Sequence, residues 1–198
     1  MNAELALATV LIGIGLLLVI VGLLHNTTIF SRWDAETFLA LHTRTRRYVS
    51  FFRYIWPLGT VPVGITLILI MLMAGWQAGF SAALMYGLAA IVEWAIKRKV
   101  SRPRPFKTLP GVVMSQPKNP GDASHPSGDA MRVWFLALVF PLAFGLPWPV
   151  TALTCTVALT LSLGRIVLGV HYPLDVVGGA GLGTLFTGLA IICYHSII

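Results

Sequence analysis

The chain has 198 residues, 57% of them hydrophobic and 11% charged, with a net charge of +7 and a mean hydropathy of +0.82. A soluble domain carries roughly 25% charged residues, and so few charges cannot cover so much apolar surface. Soluble, disordered and collagen-like chains are excluded, which leaves an all-α polytopic membrane protein with one membrane-embedded domain over residues 1–198.

Leu5–Leu24 supplies the run of about 20 apolar residues that a spanning helix needs. With neither a basic leader nor a small-residue cleavage site, Met1–Leu24 reads as a first span rather than a signal peptide. Asn26–Tyr54 then mixes Arg32, Arg44, Arg46, Arg47 and Arg53 with Trp33, Phe38, Leu39, Leu41, Tyr48, Phe51 and Phe52. Such a mixture at helical spacing fits interfacial helices between the first and second spans, or equally an amphipathic connector packed on the bundle. Leu58–Ala74 and Phe80–Ile96 are the second and third spans, antiparallel across a Gly75–Gly79 turn. Lys97–His125 is too polar and proline-rich to span. Val133–Leu146, running on from a start near Ser127 and kinked at Pro141, is the fourth span. Val150–Leu168 and Leu174–Tyr194 complete a count of six. Cys155 and Cys193 sit in apolar runs and read as small buried hydrophobes, not as a disulfide or a metal pair.

Followed through six spans, both polar stretches fall on one face of the membrane, with Arg132 and Arg165 at helix ends beside them. The other face has Glu4 and short turns without Lys or Arg. An excess of cations beside spans points to anionic headgroups or a phosphorylated substrate rather than nucleic acid.

Three polar groups can converge on that face. In Lys97-Arg98-Lys99-Val100-Ser101-Arg102-Pro103-Arg104-Pro105 the prolines favour an extended chain that holds guanidiniums at fixed spacing for phosphate oxygens. Taken alone, such a cluster serves lipid headgroups just as well. Ser124-His125-Pro126-Ser127-Gly128-Asp129 opens the fourth span. Pro126 suits the first helical position with Ser124 or His125 as cap, and Gly128 lets a phosphate approach the exposed N–H groups. In the third group, Gly164 to Asp175, His171 and Asp175 are spaced to share one side of a helical path. A carboxylate on one imidazole nitrogen fixes the tautomer and raises the basicity of the other, which makes a nucleophile toward phosphorus.

In series these read Lys97, six residues, Arg104-Pro105; Pro126-Ser127-Gly128; and Arg165, five residues, His171, three residues, Asp175. The series resembles the type 2 phosphatidic acid phosphatase (PAP2) superfamily, in its membrane branch. The resemblance implies a PAP2-type bundle with His171 as nucleophile and Asp175 orienting it. It implies a phosphate cradle of Lys97, Arg104, Ser127, Gly128 and Arg165, with no metal and no cofactor. It also implies hydrolysis of a membrane lipid phosphate or pyrophosphate through a phosphohistidine, with undecaprenyl or another polyprenyl pyrophosphate first. Phosphatidic acid, phosphatidylglycerol phosphate and lipid A phosphate follow. A phosphotransferase and a non-catalytic lipid-phosphate-binding protein are the alternatives; oligomeric state is not legible.

The sequence departs from the family at two points. Gly164 stands where a serine is usual, costing one hydroxyl contact. Asp129 stands where a histidine normally protonates the leaving oxygen. Either Asp129 is itself the acid, or His125 replaces it, or no acid is needed. The last holds if the leaving group is a phosphate, of pKa about 6, rather than an alkoxide, whose conjugate acid lies near water at about 16. On location, the charge rule assigns the basic face to the cytoplasm. The resemblance implies the extracytoplasmic face of a cell (inner) membrane, which is the expectation carried forward.

Overall fold

The computed structural model describes residues 3–197, so the expectation over Met1–Leu24 is answered from Ala3 onward. The described residues form nine α-helices. They are α1 (Ala3–Leu23), α2 (Thr28–Thr45), α3 (Val49–Ile55), α4 (Val61–Ala74), α5 (Trp76–Val100), α6 (Pro105–Thr108), α7 (Gly128–Ala143), α8 (Trp148–Val167) and α9 (Pro173–Ile197). Both cysteines are free and half-buried.

The bundle is all-α, and of the six expected spans four, or five, have the length and apolar character of a crossing. Four helical stretches, containing α1, α5, α8 and α9, are long and apolar enough to cross a bilayer; a fifth is reached if α4 is joined to the preceding 28–59 segment across a 46° bend. Length is the reason. With 14 residues in α4 and 16 in α7, at about 1.5 Å per residue they reach only ~21 and ~24 Å against a ~30 Å hydrocarbon core. Boundaries also shift. The expected five-residue turn collapses to Gly75, because α5 starts at Trp76 and runs on through Lys97, Arg98 and Lys99. Lys97 is therefore helical, and the extended stretch is confined to residues after Ser101, whose left-handed φ of 50° ends the helix. The cap of α7 is Ser127, not Ser124 or His125: its Oγ accepts from Ala130 N, and the helix begins at Gly128.

The central helix is α9, and glycine makes it so. A Cβ on Gly22 of α1 would lie 2.6 Å from Gly178 Cα of α9. On the other flank Gly179 and Gly183 lie against the carbonyls of Ser127 and Met131 of α7. Close backbone approach of this kind is how helices pack where hydrophobic burial offers little advantage over lipid. The core between α4, α5, α7 and α9 is filled by Met71, Tyr86, Met131, Phe135, Leu182 and Phe186. Large apolar side chains such as Leu17, Ile20, Ile91 and Leu153 face outward, as a lipid-facing surface requires.

The connector after α1 is helical, as α2 and α3. Asp34, Phe38 and His42, one helical turn apart in succession, form the buried face of α2. Phe38 packs on Ile166 and Tyr172, tying this helix to the α8–α9 loop. The outcome for the chemistry is convergence. The end of α5, the 101–127 loop, the start of α7, the end of α8 and the start of α9 all meet at one end of the bundle.

Candidate active site

His171 lies in the short loop between α8 and α9 and is 4% exposed, so the ring has almost no contact with solvent. Arg104 Nη1 sits 3.1 Å from its Nε2. A guanidinium only donates, so Nε2 is the acceptor and the ring proton belongs on Nδ1. Nδ1 faces Asp175 Oδ2 at 3.7 Å, an ion-pair separation rather than a hydrogen bond. Burial, and then the Arg104 charge, push the imidazole pKa from 6.5 down to about 4, against the opposing pull of Asp175. The ring is neutral at neutral pH.

Beneath His171, Asp175 is completely buried. It accepts from Arg102 Nη1 at 2.7 Å, from Ser124 Oγ at 2.5 Å and from the Tyr172 N–H at 2.9 Å. Arg102 Nη2 donates to Asp34 Oδ2 of α2 at 2.7 Å, and Asp34 Oδ1 accepts from Leu174 N at 2.9 Å. The Arg102 guanidinium also lies over the Tyr172 ring, 4.0 Å from its centroid. Two residues apart, Arg102 and Arg104 would share one face of an ideal strand, yet in this Pro-interrupted stretch they diverge, Arg102 down to the Asp175 layer and Arg104 up to the imidazole.

Above His171 opens a cavity of about 610 Å³ bordered by Lys97, Arg104, Asp122, Asp129, Arg132 and His171, among others. Its cations are matched by carboxylates. Lys97 Nζ bridges Glu93 at 2.6 Å and Asp122 at 2.5 Å, and Arg104 Nη2 donates to Asp122 Oδ1 at 2.6 Å. Burial favours the neutral acid at Asp122, but the hydrogen bond and charge of Lys97, aided by Arg104, win and hold its pKa at about 2. Asp129 is paired with Arg132 and with Arg165 Nη1 at 2.7 Å. A Cβ on Gly128 would lie 2.6 Å from Glu93 Oε1. Glycine thus lets an anionic oxygen rest directly on the start of α7, where free N–H groups and the helix dipole favour one.

The sequence-derived residues divide between the cavity and its walls. Lys97, Arg104, Gly128, Asp129 and His171 border it. Asp175 lies behind the imidazole. Arg165 is buried behind Asp129, with Nη2 reaching the Trp56 carbonyl at 3.3 Å. Ser127 is fully buried as the α7 cap, its N–H donating to Asp175 O at 2.9 Å. Of the three routes for a leaving-group proton, two fare poorly. Asp129, between two guanidiniums, is held as a carboxylate. His125 is turned from the cavity, with Nδ1 at 3.4 Å from Asp175 and its ring against His25, centroids 4.3 Å apart. Gly164 also has a packing reason: a Cβ there would lie 2.7 Å from the Phe52 ring of α3.

Four polar residues of the network were not singled out from sequence, Asp34, Glu93, Arg102 and Asp122, and Ser124 was expected as a helix cap rather than as a partner of Asp175. Asp34 carried a signal, as the one acid on the face of α2 shared with Phe38 and His42. Glu93 carried another, one helical turn before Lys97.

Fold and cavity together define a membrane-type helical bundle with a cation-lined cavity beside a histidine. A profile of the PAP2 superfamily matches residues 74–198, and the chain belongs to that superfamily. Among solved structures it is similar to a PAP2-type phosphatidylglycerolphosphate phosphatase from Bacillus subtilis, with TM-score 0.77 and 22% identity over 95% of this chain and 97% of the other. It is also similar to LpxE of Aquifex aeolicus, with TM-score 0.67 and 27% identity over 81% and 92%. In sequence, it is 37% identical over 106 residues to decaprenylphosphoryl-5-phosphoribose phosphatase of Mycobacterium tuberculosis, covering 54% of this chain and 53% of that protein. It is 29% identical over 138 residues to undecaprenyl-diphosphatase of Sulfolobus acidocaldarius, covering 70% and 63%. The matches thus span about half to two thirds of those relatives.

Proposed function

We propose that this protein is a metal-independent phosphatase that hydrolyses a polyprenyl pyrophosphate, undecaprenyl pyrophosphate first, through a phosphohistidine at His171. The observation that carries the reading is the neutral imidazole whose Nε2 faces the Arg104 and Lys97 side of a 610 Å³ cavity. Nε2 attacks the terminal phosphorus in line. The bond from phosphorus to the bridging oxygen breaks, and its electron pair leaves with the lipid monophosphate. Water then cleaves the P–N bond, releasing inorganic phosphate and returning the imidazole. Asp175 carries the charge that develops on the ring. Lys97, Arg104 and the Gly128 N–H face stabilise the phosphoryl oxygens, the role that metal ions play in other phosphoryl-transfer sites, while Arg165 acts from behind Asp129.

Pyrophosphate is preferred over monophosphate because Asp129 is engaged by two arginines. Without a proton donor, an alkoxide leaving group is at a disadvantage of roughly ten pKa units against a phosphate. In this reading the chain crosses the membrane six times, α4 and α7 being the two short crossings, supported by neighbours rather than by length. The cavity then opens at the extracytoplasmic face of a cell membrane, where the lipid's tail stays in the bilayer. The test is phosphate release by purified protein in detergent with EDTA, from a panel of lipid pyrophosphates and monophosphates. Release from the pyrophosphates is expected; no release from any lipid in the panel would overturn the reading.

A further inference from the structure

Arg132, at the start of the second turn of α7, is a cation of the cavity that no motif accounts for. Its Nε donates to the Gly59 carbonyl at 3.2 Å, fixing the side chain against the turn before α4. Its Nη2 pairs with Asp129. Its Nη1 makes no hydrogen bond to any described residue and lies beside Gly128, 3.2 Å from where a Cβ would stand. One carboxylate, Asp129, is shared between Arg132 and Arg165, so the trio keeps one positive charge uncompensated.

Position gives that charge a use. Next to Arg132 an apolar groove of about 280 Å³ runs along α7 between α4 and α8, lined by Leu58, Leu67, Val133, Leu136, Phe140 and Leu161, among others. Val133 follows Arg132 in the chain, and Leu58 precedes the Gly59 that anchors it. The same turn before α4, through Trp56 and Pro57, borders the polar cavity. Arg132 therefore sits at the junction of an apolar groove and a cationic cavity that Lys97, Arg104 and His171 also border. A lipid with its tail in the groove and its terminal phosphate at His171 brings its lipid-proximal phosphate to Arg132.

We infer that Arg132 is a specificity-determining residue that binds the lipid-proximal phosphate of a pyrophosphate and stabilises the charge it acquires as leaving group. The inference rests on the lipid pyrophosphatase reading above. Arg132 supplies in charge what a proton donor would supply to an alkoxide: as the P–O bond breaks, the electron pair on the bridging oxygen is stabilised by a guanidinium already in place. A lipid monophosphate has no second phosphate and draws less from it.

Two measurements test this. The first is the ratio of kcat/KM for undecaprenyl pyrophosphate to that for undecaprenyl monophosphate in wild type, Arg132→Gln and Arg132→Lys. Loss of a charged hydrogen bond lowers the ratio about 10- to 100-fold in Arg132→Gln, with partial recovery in Arg132→Lys. An unchanged ratio in an active enzyme overturns the inference while leaving the pyrophosphatase reading intact; a wild type that cleaves no lipid phosphate overturns both. The second uses wild type alone and is independent of how the variants fold. Inorganic pyrophosphate, which reaches both subsites, is expected to inhibit at least about tenfold more tightly than inorganic phosphate, which fills one. Equal inhibition by the two would overturn the inference.

Discussion

The two sides of the His171 ring are built on different principles. Below it, Asp175, Arg102, Asp34 and Ser124 are almost wholly withdrawn from solvent, and both carboxylates take hydrogen bonds on each oxygen. Above it, Lys97 and Arg104 are matched by Asp122, whose side chain is 52% exposed and sits on a loop. The lower layer is finished and rigid. The upper layer holds its cations with a carboxylate that a phosphate can displace. In the proposed mechanism the nucleophile needs fixed support on one side and an exchangeable anion site on the other, and the difference in burial between the two layers fits that need.

The comparison is broken most severely at the ring. His171→Ala is expected to lower turnover on the order of 10⁴-fold or more, with little change in melting temperature, measured as phosphate release and thermal unfolding in detergent. Damage to the lower layer has the opposite profile. Asp34→Ala leaves the buried Arg102 guanidinium half-matched, and about 3–5 kcal/mol of stability should be lost. Thermal unfolding reads this, although Asp34 lies far from the cavity in sequence. Turnover that falls while the melting temperature stays put would place Asp34 with the chemistry instead.

Smaller effects belong to the upper layer. Asp129→His should raise hydrolysis of lipid monophosphate relative to pyrophosphate by roughly 10²-fold, the low end of general-acid effects. A wild type already equally fast on both would defeat the leaving-group argument. Asp122→Asn removes the carboxylate competing for Lys97 and Arg104, and inorganic phosphate should inhibit several-fold more tightly, about 1 kcal/mol. Weaker inhibition would assign Asp122 to holding the cations in place.

The pH dependence is the subtlest contrast. With its folded pKa near 4 rather than 6.5, His171 remains unprotonated as pH falls through 6.5. The unfolded chain binds that proton first, so stability falls with pH between 6.5 and 4 and levels off below. Nitrogen NMR of labelled histidine follows this ring apart from the substrate's own ionisation. A midpoint near 6.5 would mean the ring is solvated.

Much of the site could be read in the sequence because motif residues keep their spacing. His171 and Asp175 lie close to each other at the start of α9, and Lys97 and Arg104 flank one bend. Asp34 could not be assigned that way. Its partner Arg102 is 68 residues away, and a lone acid in a basic, aromatic segment reads equally as surface. His125 shows the converse. It sits beside a motif, yet packing against His25 and Gly178 turns it from the cavity.

Composition and hydropathy by themselves determined an all-α membrane bundle, since apolar runs of that length have few other stable solutions. Motif order determined the kind of chemistry. Only tertiary packing decided which cations face the cavity, which carboxylates hold them, and that Asp129 is an ion-pair partner rather than a free acid. Protonation and charge matching depend on distances between groups far apart in the chain, and those distances are set when glycine faces let α1 and α7 close on α9.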